Sequence, residues 1–240
     1  MVSVSRFPDL DSLIDASTKR FTETISAIHA DPVGGVNGDG TARVVLTGGT
    51  AGIRFLEGLR GSGIDWSRVS IFFGDERNVP VTDPDSNEGQ ARAALLDHVA
   101  IPEANIHGYG LTGADMSAPV ERYEQTVGIA APEGFDIHLL GMGGEGHVNS
   151  LFPDTDAVRE TERLVIAVTD SPKPPAERAT LTLPAVARAQ RVWLLVSGAE
   201  KAEAAGELVR GASPEAWPAA GAKGREETIL FVSEDAAAEV

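Results

Sequence analysis

Apolar positions along the chain follow two rhythms. Leu10, Leu13, Ile14, Phe21, Ile25 and Ile28 recur at helical spacing and predict an opening helix over about residues 9–30. Short continuous apolar runs follow: Arg43 to Thr47, Val69 to Phe73, Asp136 to Leu140, Leu164 to Val168, Val192 to Val196 and Thr228 to Val232. Runs of this length, rich in β-branched and aromatic residues, read as buried strands. Between them, Ala51 to Leu59, Glu88 to His98 and Lys201 to Val209 read as helices, with Ser86-Asn87 as an N-cap. Asp31 to Gly40, rich in glycine and turn formers, reads as a flexible loop, and Gly211 to Gly224 as a surface loop.

Strands that are apolar throughout and alternate with helices predict an α/β fold. The sheet is then mainly parallel and Rossmann-like, with helices on both faces. No internal repeat or linker interrupts the pattern, so residues 1–240 read as a single domain. In such sheets ligands bind beyond the carboxyl ends of the strands, and the chemistry is sought in those loops.

Composition narrows the classes of function. Thirty-six acidic residues against 20 basic ones give a formal charge of −16, which argues against nucleic acid and anionic membranes as partners. An anionic ligand would need a local cluster of cations and N–H groups to outweigh that field. No cysteine is present, which excludes disulfides, thiol catalysis and cysteine-bound metals. No secretory signal is seen and no apolar run approaches the roughly 20 residues of a membrane span. The chain reads as a cytosolic enzyme with a small-molecule substrate.

Three strand-end loops carry candidate chemistry. Asp136-Ile-His-Leu-Leu-Gly141-Met-Gly143-Gly144-Glu145-Gly146-His147 runs a strand into four glycines and a histidine. Successive backbone N–H groups in such a loop favour an anion, and histidine suits general base work near neutral pH. Gly141, Gly143 and Gly146 also fit the dinucleotide pattern G-x-G-x-x-G, but Pro153 would interrupt the helix that pattern requires. A structural turn with an incidental histidine is the plainer alternative. Gly74-Asp75-Glu76-Arg77 places three charges directly after a buried strand. Arg77 offers a fork for phosphate oxygens, and Asp75 or Glu76 could orient it or accept sugar hydroxyls. Thr47-Gly48-Gly49-Thr50 is a glycine turn at a helix start, weak alone. Arg178 and Lys201 add two cations, the lysine in a helical first turn where the dipole disfavours it. The remaining histidines lack partners in the sequence, and no pair has zinc-site spacing, so neither metal nor cofactor is expected.

Taken in order, Thr47 to Thr50, Gly74 to Arg77, Gly141 to Pro153, Arg178 to Pro184 and Gly198-Ala-Glu-Lys201 resemble the 6-phosphogluconolactonase family. The resemblance implies a fold shared with sugar-phosphate isomerases and glucosamine-6-phosphate deaminases. It implies hydrolysis of 6-phospho-D-glucono-1,5-lactone in the oxidative pentose phosphate pathway. By position His147 would be the general base, with Glu145 beside it where the family usually has aspartate. Arg77, Arg178 and Lys201 would hold the phosphate, while Gly48, Gly49, Thr50, Asp75, Gly143 and Gly144 would line the pocket. An aminosugar-phosphate deaminase resembles Asp-Glu-Tyr where this chain has Asp75-Glu76-Arg77, and Asn-Glu-Pro where it has Leu151-Phe152-Pro153, so both differences favour the lactonase. A sensor that binds sugar phosphate without turnover is the third reading, disfavoured by the acidic chain and the complete set of His147, Glu145 and cations.

Overall fold

A computed structural model describes residues 1–240. In chain order the elements are β1 (Ser3–Phe7), α1 (Leu10–Ala30), β2 (Ala42–Leu46), α2 (Gly49–Gly58), β3 (Val69–Phe73), β4 (Asp75–Arg77), α3 (Asn87–Ala94) and β5 (Ile106–His107). They continue with α4 (Ser117–Ala130), β6 (Phe135–Leu140), β7 (Val165–Val168), β8 (Arg178–Leu181), α5 (Leu183–Val186), β9 (Ala189–Val196), α6 (Ala202–Arg210) and β10 (Glu227–Ser233).

The opening helix begins where its chemistry allows. Asp9 caps it by accepting the Ser12 N–H at 2.8 Å, and Leu13, Ile14, Ser17, Phe21, Ile25 and Ile28 form its buried face. Phe21 meets Phe55 edge-to-face at 5.4 Å and lies against buried Trp193, tying α1 to α2 and β9. A seven-stranded sheet in the order β1-β10-β9-β6-β2-β3-β5 is parallel at every pairing. Every residue of β3 and β6 is buried, and because alternate side chains point to opposite faces, both faces of the sheet are covered.

A second sheet of three strands, β4-β8-β7, is antiparallel. It takes Val165–Val168 out of the main sheet, where the apolar run alone had suggested it belonged. Periodicity identifies a strand but not its partner, and β7, buried at both ends and open at Ala167, is not covered on both faces as the central strands are.

Three other expectations change. Asp31 to Gly40 is anchored: buried Asp136 accepts the Val36 N–H at 2.7 Å and the Arg43 N–H at 2.8 Å. The 211–224 stretch is no simple surface loop, since Pro218, Ala219, Ala220 and Ala222 are buried. The 88–98 helix also divides, ending at Ala94 before a short 3₁₀ turn over Leu96–His98.

The strand order places the centre of the sheet for function. From β2 the chain moves to β3 on one side, while β6 and β9 lie on the other, so β2 and β6 flank the switch point of the topology. Their carboxyl-end loops are joined by a hydrogen bond from the Gly141 N–H to Thr47 Oγ1, at 3.0 Å. No helix of the protein is long and apolar enough to cross a membrane.

Candidate functional site

A cavity of about 340 Å³ opens at that switch point. It draws its walls from the loops after β2, β3, β6 and β9 and from the second sheet. Met142 is the only hydrophobic residue among those lining it. Of the residues singled out from the sequence, Gly48, Gly49, Asp75, Arg77, Gly143, Gly144, His147, Arg178 and Lys201 line the cavity. Thr50 does not; it is exposed on the first turn of α2. Glu145 is not part of the wall but reaches His147 from beside it.

At the β2 end, Gly48 caps α2 without any side-chain hydrogen bond, and the first turn of α2 has no acidic residue. Its leading N–H groups are therefore unneutralised and suited to an anion. A Cβ on Gly48 would collide with Asn87 Oδ1, so the glycine permits close approach of α3.

Glu76 organises the next wall from behind. Its buried carboxylate accepts the Arg77 N–H at 2.9 Å and the Asn87 N–H at 2.7 Å on Oε1. Oε2 accepts the Glu88 N–H and the Ser86 hydroxyl, both at 2.9 Å. Burial pushes the Glu76 carboxyl above its usual range, against these four donors, which favour the charged form. So Glu76 caps α3, and it is Asn87 that completes the wall. Asn87 donates to the Asp75 carbonyl at 2.9 Å and to Asp75 Oδ1 at 3.0 Å, and accepts from Arg77 Nη1 at 3.2 Å. Asp75 Oδ2 also accepts the Ser150 hydroxyl at 2.6 Å.

The pairing of β4 with β8 sets Arg77 directly opposite Arg178. Like charges at paired positions are unfavourable without a counter-charge between them. Arg178 is almost fully buried, and burial, with Arg77 adding to it, lowers its pKa. Three of its hydrogen bonds go to backbone: Nε to the Pro175 carbonyl at 3.0 Å, and Nη2 to the Lys173 and Pro174 carbonyls at 3.0 and 3.1 Å. Arg178 thus holds the 173–175 segment as well as facing the cavity. Lys201 donates to the Met142 carbonyl at 2.6 Å, and burial lowers its pKa.

The glycine loop closes on itself. The Gly143 N–H donates to the His147 carbonyl and the Gly146 N–H to the Gly143 carbonyl, each at 3.0 Å. No helix follows, only turns and a lone bridge between Val148 and Leu151, so the loop lacks the setting a dinucleotide fingerprint needs. Gly146 has φ +80°, and a Cβ there would sit 2.8 Å from Trp217 Cε3. Trp217 and the Ala219 N–H, which donates to the Gly146 carbonyl at 2.9 Å, brace the loop from the 211–224 stretch.

His147 stacks on Phe152 at 4.6 Å between centroids. Its Nδ1 lies 3.1 Å from Glu145 Oε1, and Nε2 has no partner within the protein. Lys173, absent from the sequence reading, places Nζ 2.8 Å from Glu145 Oε1 and 3.4 Å from His147 Nδ1. Burial first, and the Lys173 cation second, hold the His147 pKa below its ordinary value, against Glu145 and Asp75. For Glu145 burial pulls upward, but the Lys173 hydrogen bond, its own backbone N–H and the neighbouring imidazole hold it down to about 2. The pair is therefore a neutral imidazole beside a carboxylate near pH 7.

Sequence reasoning also passed over Asn87, Asn149 and Glu200 as lining residues, and His138 as a partnerless strand histidine. His138 is fully buried with both ring nitrogens unpaired, and burial drives its pKa down to about 3. Asn149, in the left-handed region at φ 50°, lies beside Gly74, as does His138 Nε2. No group of three or more histidine, aspartate and glutamate side chains converges as a metal site requires.

Four cations, Arg77, Lys173, Arg178 and Lys201, thus face one polar cavity on a strongly acidic chain. A family model described as glucosamine-6-phosphate isomerases/6-phosphogluconolactonase matches residues 8–231. A protein of Mycobacterium leprae named 6-phosphogluconolactonase is 48% identical over 99% of this chain and 98% of its own length. One of the same name from Mycobacterium tuberculosis is 47% identical over 99% and 98%. A crystal structure of 6-phosphogluconolactonase from Thermotoga maritima superposes with a TM-score of 0.85 at 26% identity, covering 98% of this chain and 100% of that one.

Proposed function

This chain belongs to the glucosamine-6-phosphate isomerase/6-phosphogluconolactonase family and is an enzyme of its lactonase branch; we propose that it opens 6-phospho-D-glucono-1,5-lactone with His147 as general base. The observation that supports this most is the union, in one polar cavity, of a carboxylate-paired neutral histidine with four cations. The cations suit a phosphate dianion, and the histidine suits a reaction that needs one proton moved.

A lactone is an activated ester and requires no covalent nucleophile. With the Nδ1 proton directed at Glu145, Nε2 is free to accept a proton from water as its oxygen attacks C1. Electron density moves to the carbonyl oxygen, where N–H groups of the glycine loop or a cation stabilise the oxyanion. As the carbonyl reforms, the bond from C1 to the ring oxygen breaks and the imidazolium returns its proton to that oxygen. Arg77, Lys201 and the α2 N-terminus hold the phosphate and position C1, with Arg178 adding its charge from the cavity wall. Phosphate binding far from the reacting carbon makes a lactone without phosphate a poor substrate.

One continuous buried core that includes Val165, Ala179 and Leu181 of the small sheet supports a single catalytic domain. Its substrate is a small phosphorylated lactone, and the cytosol, where phosphorylated sugars are retained, is its place of work.

The test is the rate of lactone opening above the spontaneous blank, with glucosamine 6-phosphate as control substrate. Acceleration in the native chain that disappears in His147→Ala is the expected result. Full activity in His147→Ala sinks the base assignment, and ammonia release from the aminosugar without lactone opening sinks the lactonase reading.

A further inference from the structure

Three of the four cavity cations, besides lining the cavity, donate to acceptors away from the His147–Glu145 pair. Arg77 donates to the Asp85 carbonyl and to Asn87, Arg178 to three carbonyls, and Lys201 to the Met142 carbonyl. Lys173 alone of the four touches the His147–Glu145 pair, and it touches both members. Its backbone is fixed for this purpose. Arg178 and the Ser171 hydroxyl both donate to the Lys173 carbonyl at 3.0 Å, and the Lys173 N–H donates back to Ser171 Oγ at 3.3 Å. From that fixed point the side chain extends over Phe152, the ring on which His147 stacks.

The contacts at Nδ1 describe a choice. Glu145 Oε1, at 3.1 Å, can only accept, so its approach calls for a proton on Nδ1 and leaves Nε2 as the base. Lys173 Nζ, at 3.4 Å, can only donate, and a bond to Nδ1 would move the proton to Nε2 and disable it. The ammonium lies closer to the carboxylate, at 2.8 Å, than to the ring. Resting on the assignment of His147 as base, we propose that Lys173 is a positioning residue: its ammonium holds the Glu145 carboxylate against Nδ1 and so decides which ring nitrogen carries the proton.

Charge works in the same direction. His147 faces Glu145 on its own loop, Asp75 on β4 and Lys173 on the 170–177 segment, with Arg178 of β8 and Lys201 at the start of α6 also lining the cavity. The two carboxylates favour the imidazolium, while burial and Lys173 oppose it. Removing Lys173 therefore raises the tendency of His147 to protonate. It also loosens Glu145 from Nδ1, which pulls the other way, but the Lys173 charge acts on the ring more strongly than the Glu145 charge does, so the net shift is upward.

The experiment compares the native chain with Lys173→Met and Lys173→Arg by two readouts. One is the kcat profile against pH with the blank subtracted. The other is the nitrogen spectrum of the His147 ring, identified by its loss in His147→Ala, titrated between about pH 5 and 8. In Lys173→Met the expected result is a mixed-tautomer ring and an acid limb moved to higher pH, with kcat falling about threefold further at pH 6 than at pH 8. Lys173→Arg restores both. A variant with the native tautomer and limb, and a KM raised equally at all pH values, makes Lys173 a substrate-binding cation and overturns the proposal. Should even the native chain fail to open the lactone, the functional reading falls. The ring spectra still decide whether Lys173 governs the tautomer.

Discussion

The two walls of the cavity are held in opposite ways. On the side of β4 and α3, Asp75, Arg77 and Asn87 bond to one another and are anchored from behind by the buried Glu76 carboxylate with its four donors. On the other side His147, Glu145 and Lys173 bond mainly to each other, and the latter two are more than a third exposed. The first wall is rigid and its charges are fixed, as binding of a constant phosphate requires. The second has groups that respond to protons, as chemistry requires. Rigid binding and titrating chemistry are thus served by different loops of one sheet edge.

That contrast can be broken most strongly from the chemical side. Gly143→Ala puts a Cβ into His147 Nδ1 and close to Glu145 Oε2. A displaced base predicts a fall in kcat on the order of a hundredfold with KM little changed, read by steady-state kinetics. From the binding side, Glu76→Ala leaves four buried or half-buried donors without their acceptor, three at the start of α3 and the Arg77 N–H on β4. A loss of about 3 kcal/mol in unfolding free energy is expected, seen as a lower denaturant midpoint, together with a raised KM. A midpoint unchanged from the native chain would refute Glu76 as the anchor of this wall.

Arg77→Lys is milder. It keeps the charge but loses the fork that reaches Asp85 and Asn87, so KM rises about tenfold while kcat holds. The smallest effect is on the pH profile. Glu145 has a depressed pKa, so what it contributes is complete above its ordinary value near 4.5 and is lost only as pH falls towards about 2. Of the two, His147, depressed from 6.5, therefore sets the acid limb of kcat, at a pH below that ordinary value. Glu145→Gln should move that limb further down, because it removes a charge that favours the imidazolium.

Much of the main sheet was legible because its strands are apolar on both faces, and Val69–Phe73 was bounded without error. β1 was missed, an edge strand whose positions are exposed or only half-buried and which offers no apolar run. α4 was missed as well, although Val120, Tyr123 and Val127 keep helical spacing between charged neighbours. The strand-end glycine turns and their charges announced the cavity. Lys173 did not, because its place depends on Arg178 gripping backbone carbonyls, a contact that no local pattern encodes. Glu76 was read as a partner for arginine or sugar, while its burial makes it a helix cap. Asn87 was read as part of a cap and proved to be the link between Asp75 and Arg77. Residue type suggested the chemistry; direction came only from packing.

The facing of Arg77 and Arg178 across β4 and β8 reaches beyond catalysis, into how the protein is to be handled. Asp75, in the same cavity, counters their repulsion, and a tetrahedral oxyanion that enters would counter it further. Inorganic phosphate or sulfate in a storage buffer should then raise the melting temperature with concentration, as mass action on the native state demands. The same ions compete with substrate, so a buffer chosen to preserve the enzyme would also mask its activity.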